Sequence, residues 1–122
     1  MNNIQEKQTD IILSLDNISR TFIQGDNSIK VLDKVNLFVR RGEIVSLIGS
    51  SGSGKSSLLH IAGLLEVPDS GEIRINDIKF SQMSEKQRTI SRRNSIGFIY
   101  QFHHLLSDFS AIDNITIPML IA

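Results

Sequence analysis

Glu43-Ile44-Val45-Ser46-Leu47-Ile48-Gly49-Ser50-Ser51-Gly52-Ser53-Gly54-Lys55-Ser56-Ser57 is the stretch that decides how this chain folds. Glu43 to Ile48 is almost continuously apolar, the pattern of a strand buried on both faces of a parallel sheet. The nine residues after it cannot prolong a strand. Leu58, Leu59, Ile61, Ala62, Leu64 and Leu65 then predict a short buried helix, which Pro68-Asp69-Ser70-Gly71 ends by withholding donors and permitting a turn. Between strand and helix, Gly49-x-x-x-x-Gly54-Lys55-Ser56 has the spacing of a phosphate-binding loop. Glycines let successive N–H groups turn inward into a nest, and the helix adds its unpaired N–H groups and the positive end of its dipole. Lys55 supplies a mobile positive charge, and Ser56 a hydroxyl suited to Mg²⁺, a hard ion that prefers oxygen.

Working outward, Ile11 to Ile18 reads as a strand behind a polar lead over residues 1–10, and Gln24-Gly25-Asp26-Asn27-Ser28 as a turn leading to Ile29–Leu32. Val35–Val39 is β-rich and stops at Arg40-Arg41-Gly42. Beyond the central stretch, Glu72-Ile73-Arg74-Ile75 alternates like a strand with one wet face. Ser84-Glu85-Lys86-Gln87 has the spacing of a capping box that opens a polar surface helix running to about Arg93. Ile96-Gly97-Phe98-Ile99-Tyr100 returns to strand character, a loop runs from Gln101 to Phe109, and Ser110-Ala111-Ile112-Asp113 offers another helix start. The sum is one α/β domain.

Composition bounds what this domain does. The 122 residues carry 13 Lys+Arg against 13 Asp+Glu, are 40% hydrophobic and contain no Cys. A core is attainable and disorder is not expected. Zero net charge excludes a general attraction to nucleic acid or anionic lipid, so an anion must be caught by a local site. Without cysteine there is no disulfide framework, thiolate zinc site or Cys nucleophile. No stretch matches a signal peptide or the roughly 18 apolar residues of a spanning helix. Asn17-Ile18-Ser19 and Asn114-Ile115-Thr116 are therefore chance matches to a glycosylation signal. His103 and His104 diverge as adjacent loop residues and read as loop contacts, while Arg40, Arg41, Arg92 and Arg93 read as solvated charges. The apolar end Pro118–Ala122 reads as a cut.

The loop Gly49-Ser50-Ser51-Gly52-Ser53-Gly54-Lys55-Ser56-Ser57 resembles the Walker A loop of ABC transporter ATPases, and the resemblance covers the chain from about Ile11. It implies a P-loop NTPase (RecA-like) core with the N-terminal antiparallel β strands of an ABC ATPase domain, truncated. Residues 11–108 would form the N-terminal part of the ATP-binding core, and residues 109–122 would begin the helical subdomain. Ser19-Arg20-Thr21-Phe22 followed by Gly25 is similar to the family's A-loop, which places Phe22 where an aromatic ring stacks on adenine; many relatives carry Tyr there. Gln101 falls at the Q-loop position, implying a catalytic glutamine that meets the Mg²⁺ shell or the attacking water. Implied ligands are therefore ATP, held by Phe22 and Gly49 to Ser57, and Mg²⁺, met by Ser56 and Gln101.

Within that family, Ser91-Arg92-Arg93, Ile96-Gly97-Phe98 and Gln101-Phe102-His103-His104-Leu105-Leu106 are most similar to the ATPases of lipoprotein-releasing systems, with macrolide-export and cell-division ATPases close by. The implied partners are integral membrane subunits, met through the loop after Gln101, and a second ATPase copy in the full-length relative. The implied place is the cytoplasmic face of the bacterial inner membrane. Only the front half of the family's domain is present. No Leu-Ser-Gly-Gly-Gln signature follows Gln101, and no apolar run ends in Asp-Glu to supply the Walker B aspartate and catalytic base. Phosphoryl transfer needs several such parts at once, so little or no turnover is expected from the chain alone. Missing strands would also leave open sheet edges and poor solubility. Two alternatives stand beside the transport ATPase: a non-hydrolysing binding module that docks to a membrane subunit, and an unrelated P-loop kinase for small molecules, which would leave Phe22 and Gln101 without a role.

Overall fold

The computed structural model describes residues 10–121, so the expected polar lead, apart from Asp10, and Ala122 lie outside the described residues. The strands expected over Ile11–Ile18 and Val35–Val39 belong to two longer ones, β1 (Ile11–Gln24) and β2 (Asn27–Arg40), joined at Gly25-Asp26. β1 also pairs along its other edge with β3 (Ser70–Ile75), which turns back into β4 (Ile78–Lys79), giving an antiparallel sheet of order β2-β1-β3-β4. The β3–β4 turn is Asn76-Asp77 with φ of 48° and 64°, the doubly left-handed turn that matches the twist of a hairpin and that Asn and Asp tolerate.

Four register shifts interrupt the β1–β2 ribbon, and two of them place a non-glycine residue in a left-handed conformation. Asp16 and Asn17 face Asn36 alone, and further on Ser19 faces both Asp33 and Lys34. Asn17 and Lys34 take up the extra length with φ of 51° and 49°. Each bulge would strand an N–H, and in each case the single residue opposite accepts it: Asn36 Oδ1 from Asn17 N at 2.9 Å, and Ser19 Oγ from Lys34 N at 3.0 Å. β3 closes on the same bend through Gly71, at φ 105°, where a Cβ would meet Asp16 O and Asn17 O at 2.6 Å.

One face of this sheet supplies Leu15, Ile18, Leu32, Ile73 and Ile75 to the core, and α1 (Lys55–Ala62) lays Leu58 and Ile61 on it, with Leu64 and Phe80 closing the ends. The helix expected to reach Leu65 instead ends at Ala62, and it is buried along one side only, since Leu59 faces outward. It stops in a Schellman motif: Leu65 N–H donates to His60 O at 2.8 Å and Leu64 N–H to Ile61 O at 3.0 Å. The left-handed residue of that motif is Leu64, at φ 60°, where glycine is usual; its side chain is 2% exposed, so burial offsets the strain. The capping box forms as its spacing predicts. Ser84 Oγ accepts from Gln87 N–H and Gln87 Oε1 accepts from Ser84 N–H, opening α2 (Glu85–Ser95), none of whose residues is buried. A second reciprocal cap, Ser110 with Asp113, opens α3 (Ala111–Ile121).

Two expected strands do not pair. Glu43–Ile48 and Ile96–Tyr100 carry no ladder, and Ile44 and Ile48 are each 95% exposed and Ile99 fully so. The physical reason is that an apolar run becomes a buried strand only where neighbours take up its N–H and C=O groups on both edges. Among the described residues no segment lies alongside either run to do so, and the sole sheet is the antiparallel one.

Candidate functional site

The loop begins where the unpaired run ends and is held by its own lysine. Lys55 Nζ donates to Gly49 O at 2.8 Å, to Ser50 O at 2.6 Å and to Ser53 Oγ at 3.3 Å, drawing the first half of the loop round the ammonium. Gly54 turns the chain into α1 with φ 90°, and a Cβ there would stand 2.9 Å from both Val31 O and Val31 Cγ1. Only glycine fits such a corner. The first intrahelical bond runs from Leu58 N–H to Gly54 O, no side chain caps the helix, and its first turn contains no acid. The N–H groups of Lys55, Ser56 and Ser57 therefore point along the helix axis beside one positive charge, an arrangement that suits an oxyanion.

Phe22 stands across from this helix end. With Val31, Ser51, Gly52, Gly54, Lys55, Ser56 and Ser57 it lines an open cavity of about 580 Å³. Its ring is 39% exposed, and the Arg20 guanidinium sits over it at 5.0 Å from the centroid. Asp69, in the turn before β3, fixes this part of β1. Its Oδ2 accepts from Thr21 N–H at 2.6 Å, its Oδ1 from Arg20 at 2.9 Å, and its own N–H donates to Ser19 O. The Thr21 amide holds the Asp69 carboxyl below its usual range against the opposing desolvation, and the Arg20 side chain and charge lower it further by lesser amounts.

Gln101 lies on the other side of the loop. It lines a larger cleft of about 900 Å³ whose wall includes Ser56, Leu59, His60, Gly63 and the segment Ser95–Phe102. Ser56 borders both spaces, so the residue expected to meet a metal stands between the phosphate loop and Gln101. The donors these two residues bring, a hydroxyl and a carboxamide oxygen, are hard oxygens of the kind Mg²⁺ accepts while keeping several waters. No carboxylate lines either cavity, and no cluster of three or more His, Asp or Glu occurs among the described residues. His104 also borders the larger cleft, with its ring edge-on to Tyr100 at 5.0 Å. Sequence reasoning passed over Asp69 as a plain turn residue. Its partners are about fifty positions away and no local pattern announces them.

A P-loop joined to a bent antiparallel sheet defines the class: the N-terminal part of a nucleotide-binding cassette. A family model described as ABC transporter matches residues 32–119, and the chain belongs to that family. It is 54% identical over 110 residues to the lipoprotein-releasing system ATP-binding protein LolD of Paramagnetospirillum magneticum, covering 90% of this chain and 49% of the relative. With the LolD of Maricaulis maris it shares 51% identity over 114 residues, covering 93% and 50%. Among solved structures it is similar to the dimeric MJ0796, a bacterial ABC transporter cassette, with a TM-score of 0.84 and 38% identity over 89% of this chain and 47% of that one. The same cassette in a post-hydrolysis state bound to ADP and Pi fits equally well. The chain thus spans about half the length of the curated relatives it matches.

Proposed function

We propose that this chain carries the nucleotide-gripping part of an ABC transporter ATPase, that its loop Gly49 to Ser57 clasps the triphosphate of ATP, and that the whole protein drives lipoprotein release from the bacterial inner membrane. The observation that supports this best is the junction at Ser56, where an uncapped helix end beside Lys55 opens onto one cavity that reaches Phe22 and another that reaches Gln101. The helix N–H groups and the Lys55 ammonium hold phosphate oxygens, and Phe22 offers a flat apolar surface to the base. Ser56 and Gln101 would hold Mg²⁺, which supplies neutralisation of phosphate charge when bound. Gln101, on an exposed loop, orients a water or a metal-bound shell through its carboxamide. Residues 11–108 form the gripping core, and the segment from 109 onward begins the part that meets the membrane subunits. The assembled ATPase works as a pair of copies at the cytoplasmic face of the membrane. Similarity to the two LolD proteins supports the lipoprotein-release reading, and similarity to the ADP-bound cassette supports the grip on a nucleotide.

Hydrolysis by these residues alone is not part of the proposal. Among the described residues neither cavity is lined by a carboxylate that could act as base, so the chain by itself is expected to bind ATP with little or no turnover. Calorimetry with ATP and Mg²⁺ on the chain and on Lys55→Ala tests the grip: the variant should lose most of the binding heat, and equal heats would overturn the assignment. Co-purification with the membrane subunits of a lipoprotein-releasing system, set against those of a macrolide exporter, tests the transport assignment; preference for the exporter subunits would redirect it.

A further inference from the structure

The structure assigns Arg20 and Asp69 to positioning Phe22 as a platform for a purine base. This rests on the reading of Phe22 as the base-stacking residue. Arg20 and Phe22 are two apart on β1 and so share a face of the strand, with the guanidinium 5.0 Å above the ring. Arg20 is not among the residues that line the cavity Phe22 shares with the loop, which fits a guanidinium on the ring face turned away from that cavity. Two acids hold it. Asp69 Oδ1 accepts from Nη1 at 2.9 Å, and Glu66 Oε2 stands 3.9 Å from Nε, with Glu66 Oε1 in turn 3.0 Å from His60 Nδ1. Nε of Arg20 and Oε2 of Glu66 are both enclosed and neither makes a hydrogen bond, so Glu66 acts on the guanidinium as a charge at 3.9 Å while Asp69 fixes it.

Asp69 also accepts from Thr21 N–H, the residue between Arg20 and Phe22. One carboxylate therefore fixes both the backbone that carries the ring and the cation that lies on it. A guanidinium over one face withdraws no area from the other and restrains the ring's rotation, which lowers the ordering cost of stacking a base. The site so defined recognises an aromatic base attached to a triphosphate, with the loop reading the phosphates and the Asp69–Arg20 pair setting the ring.

The test separates the two halves of the ligand. Affinities for ATP and for inorganic tripolyphosphate, each with Mg²⁺, are measured calorimetrically for the chain and for Arg20→Met, Asp69→Asn, Arg20→Lys and Phe22→Ala. The ratio of the two affinities is the readout, which cancels general electrostatic and folding effects. Arg20→Met and Asp69→Asn should lower that ratio about three- to fivefold, and Arg20→Lys, which keeps a cation, should restore most of it. Equal weakening of both ligands would make the pair merely structural, and a rise in the ratio for Arg20→Met would mean the guanidinium occupies the stacking face; either overturns the inference. A lowered ratio for Phe22→Ala alone would leave base stacking standing without the positioning pair. An unchanged ratio for Phe22→Ala would remove the stacking reading, and this inference with it.

Discussion

Replacing Gly54 with Ala and comparing it with Gly52→Ala tests whether the corner into α1 is fixed by space as well as by backbone conformation. Both glycines are left-handed, at φ 90° and φ 77°, so an alanine at either bears about 1 kcal/mol of conformational strain. The two differ in surroundings. A Cβ at Gly52 meets nothing within 4 Å, whereas at Gly54 it meets Val31 O and Val31 Cγ1 at 2.9 Å and Leu32 Cδ2 at 3.1 Å. Val31 O belongs to the β1–β2 ribbon and cannot swing aside like a side-chain tip, so relief requires α1 to shift against β2. Overpacking of this kind costs about 1–3 kcal/mol. The expected losses are therefore about 1 kcal/mol for Gly52→Ala and about 3 kcal/mol for Gly54→Ala. With a urea dependence of about 2 kcal/mol per molar, the midpoints should separate by about 1 M. Urea unfolding followed by circular dichroism gives both values, and tripolyphosphate binding should fall further for Gly54→Ala. Coincident midpoints would refute the argument, because they would mean that the loop corner is free to move away from Val31.

At Leu64 the usual order of side-chain truncation should be inverted. Leu64→Ala loses the buried side chain and keeps the left-handed strain, while Leu64→Gly loses the side chain and relieves it, so the glycine variant should be the more stable by about 1 kcal/mol in urea unfolding. The Asp69 carboxyl is held below its usual range in the folded chain, first by the Thr21 amide, so the folded state binds this proton less readily than the unfolded one. Its stabilising effect is full above the unfolded value and disappears as pH falls through the lower folded value. Urea midpoints measured from about pH 5 to about pH 2 should therefore drop less steeply for Asp69→Asn than for the parent. Removing the hydroxyl of the first capping box, Ser84→Ala, should cost about 1 kcal/mol and appear as lost amide-exchange protection over the first turn of α2.

The readable parts were those where a local rule acts without competition. The Gly49 to Ser57 loop, the reciprocal cap of Ser84 with Gln87 and the turn at Gly25-Asp26 all depend on neighbours within a few positions, and all stand where the residues put them. Glu43–Ile48 was legible as a strand-forming run, yet its pairing depends on partners elsewhere, and without them Ile44 and Ile48 lie bare. The bulges were illegible for a related reason: nothing in Asp16-Asn17 shows that Asn36 and Ser19 will catch the spare N–H groups from across the ribbon. In the candidate site, Phe22 and Gln101 are marked by family resemblance, whereas the pairing of Arg20 with Glu66 and Asp69 exists only in the folded chain. Ion pairs spanning some fifty positions have no period for a sequence to display.

The bulge at Asn17 also sets a parity. Leu13 and Leu15 face the core on odd positions, and beyond the bulge Ile18 does so on an even one, which puts Arg20 and Phe22 in the same row. If the same residues alternated plainly through Asp16 and Asn17, that outer row would flip, turning Phe22 from the loop and presenting Thr21 and Ile23 instead, whereas deleting Asn17 would remove the bulge and leave Phe22 on its face. The bulge thus decides which of two alternating sets of side chains faces the Gly49–Ser57 loop, from a position that does not border it.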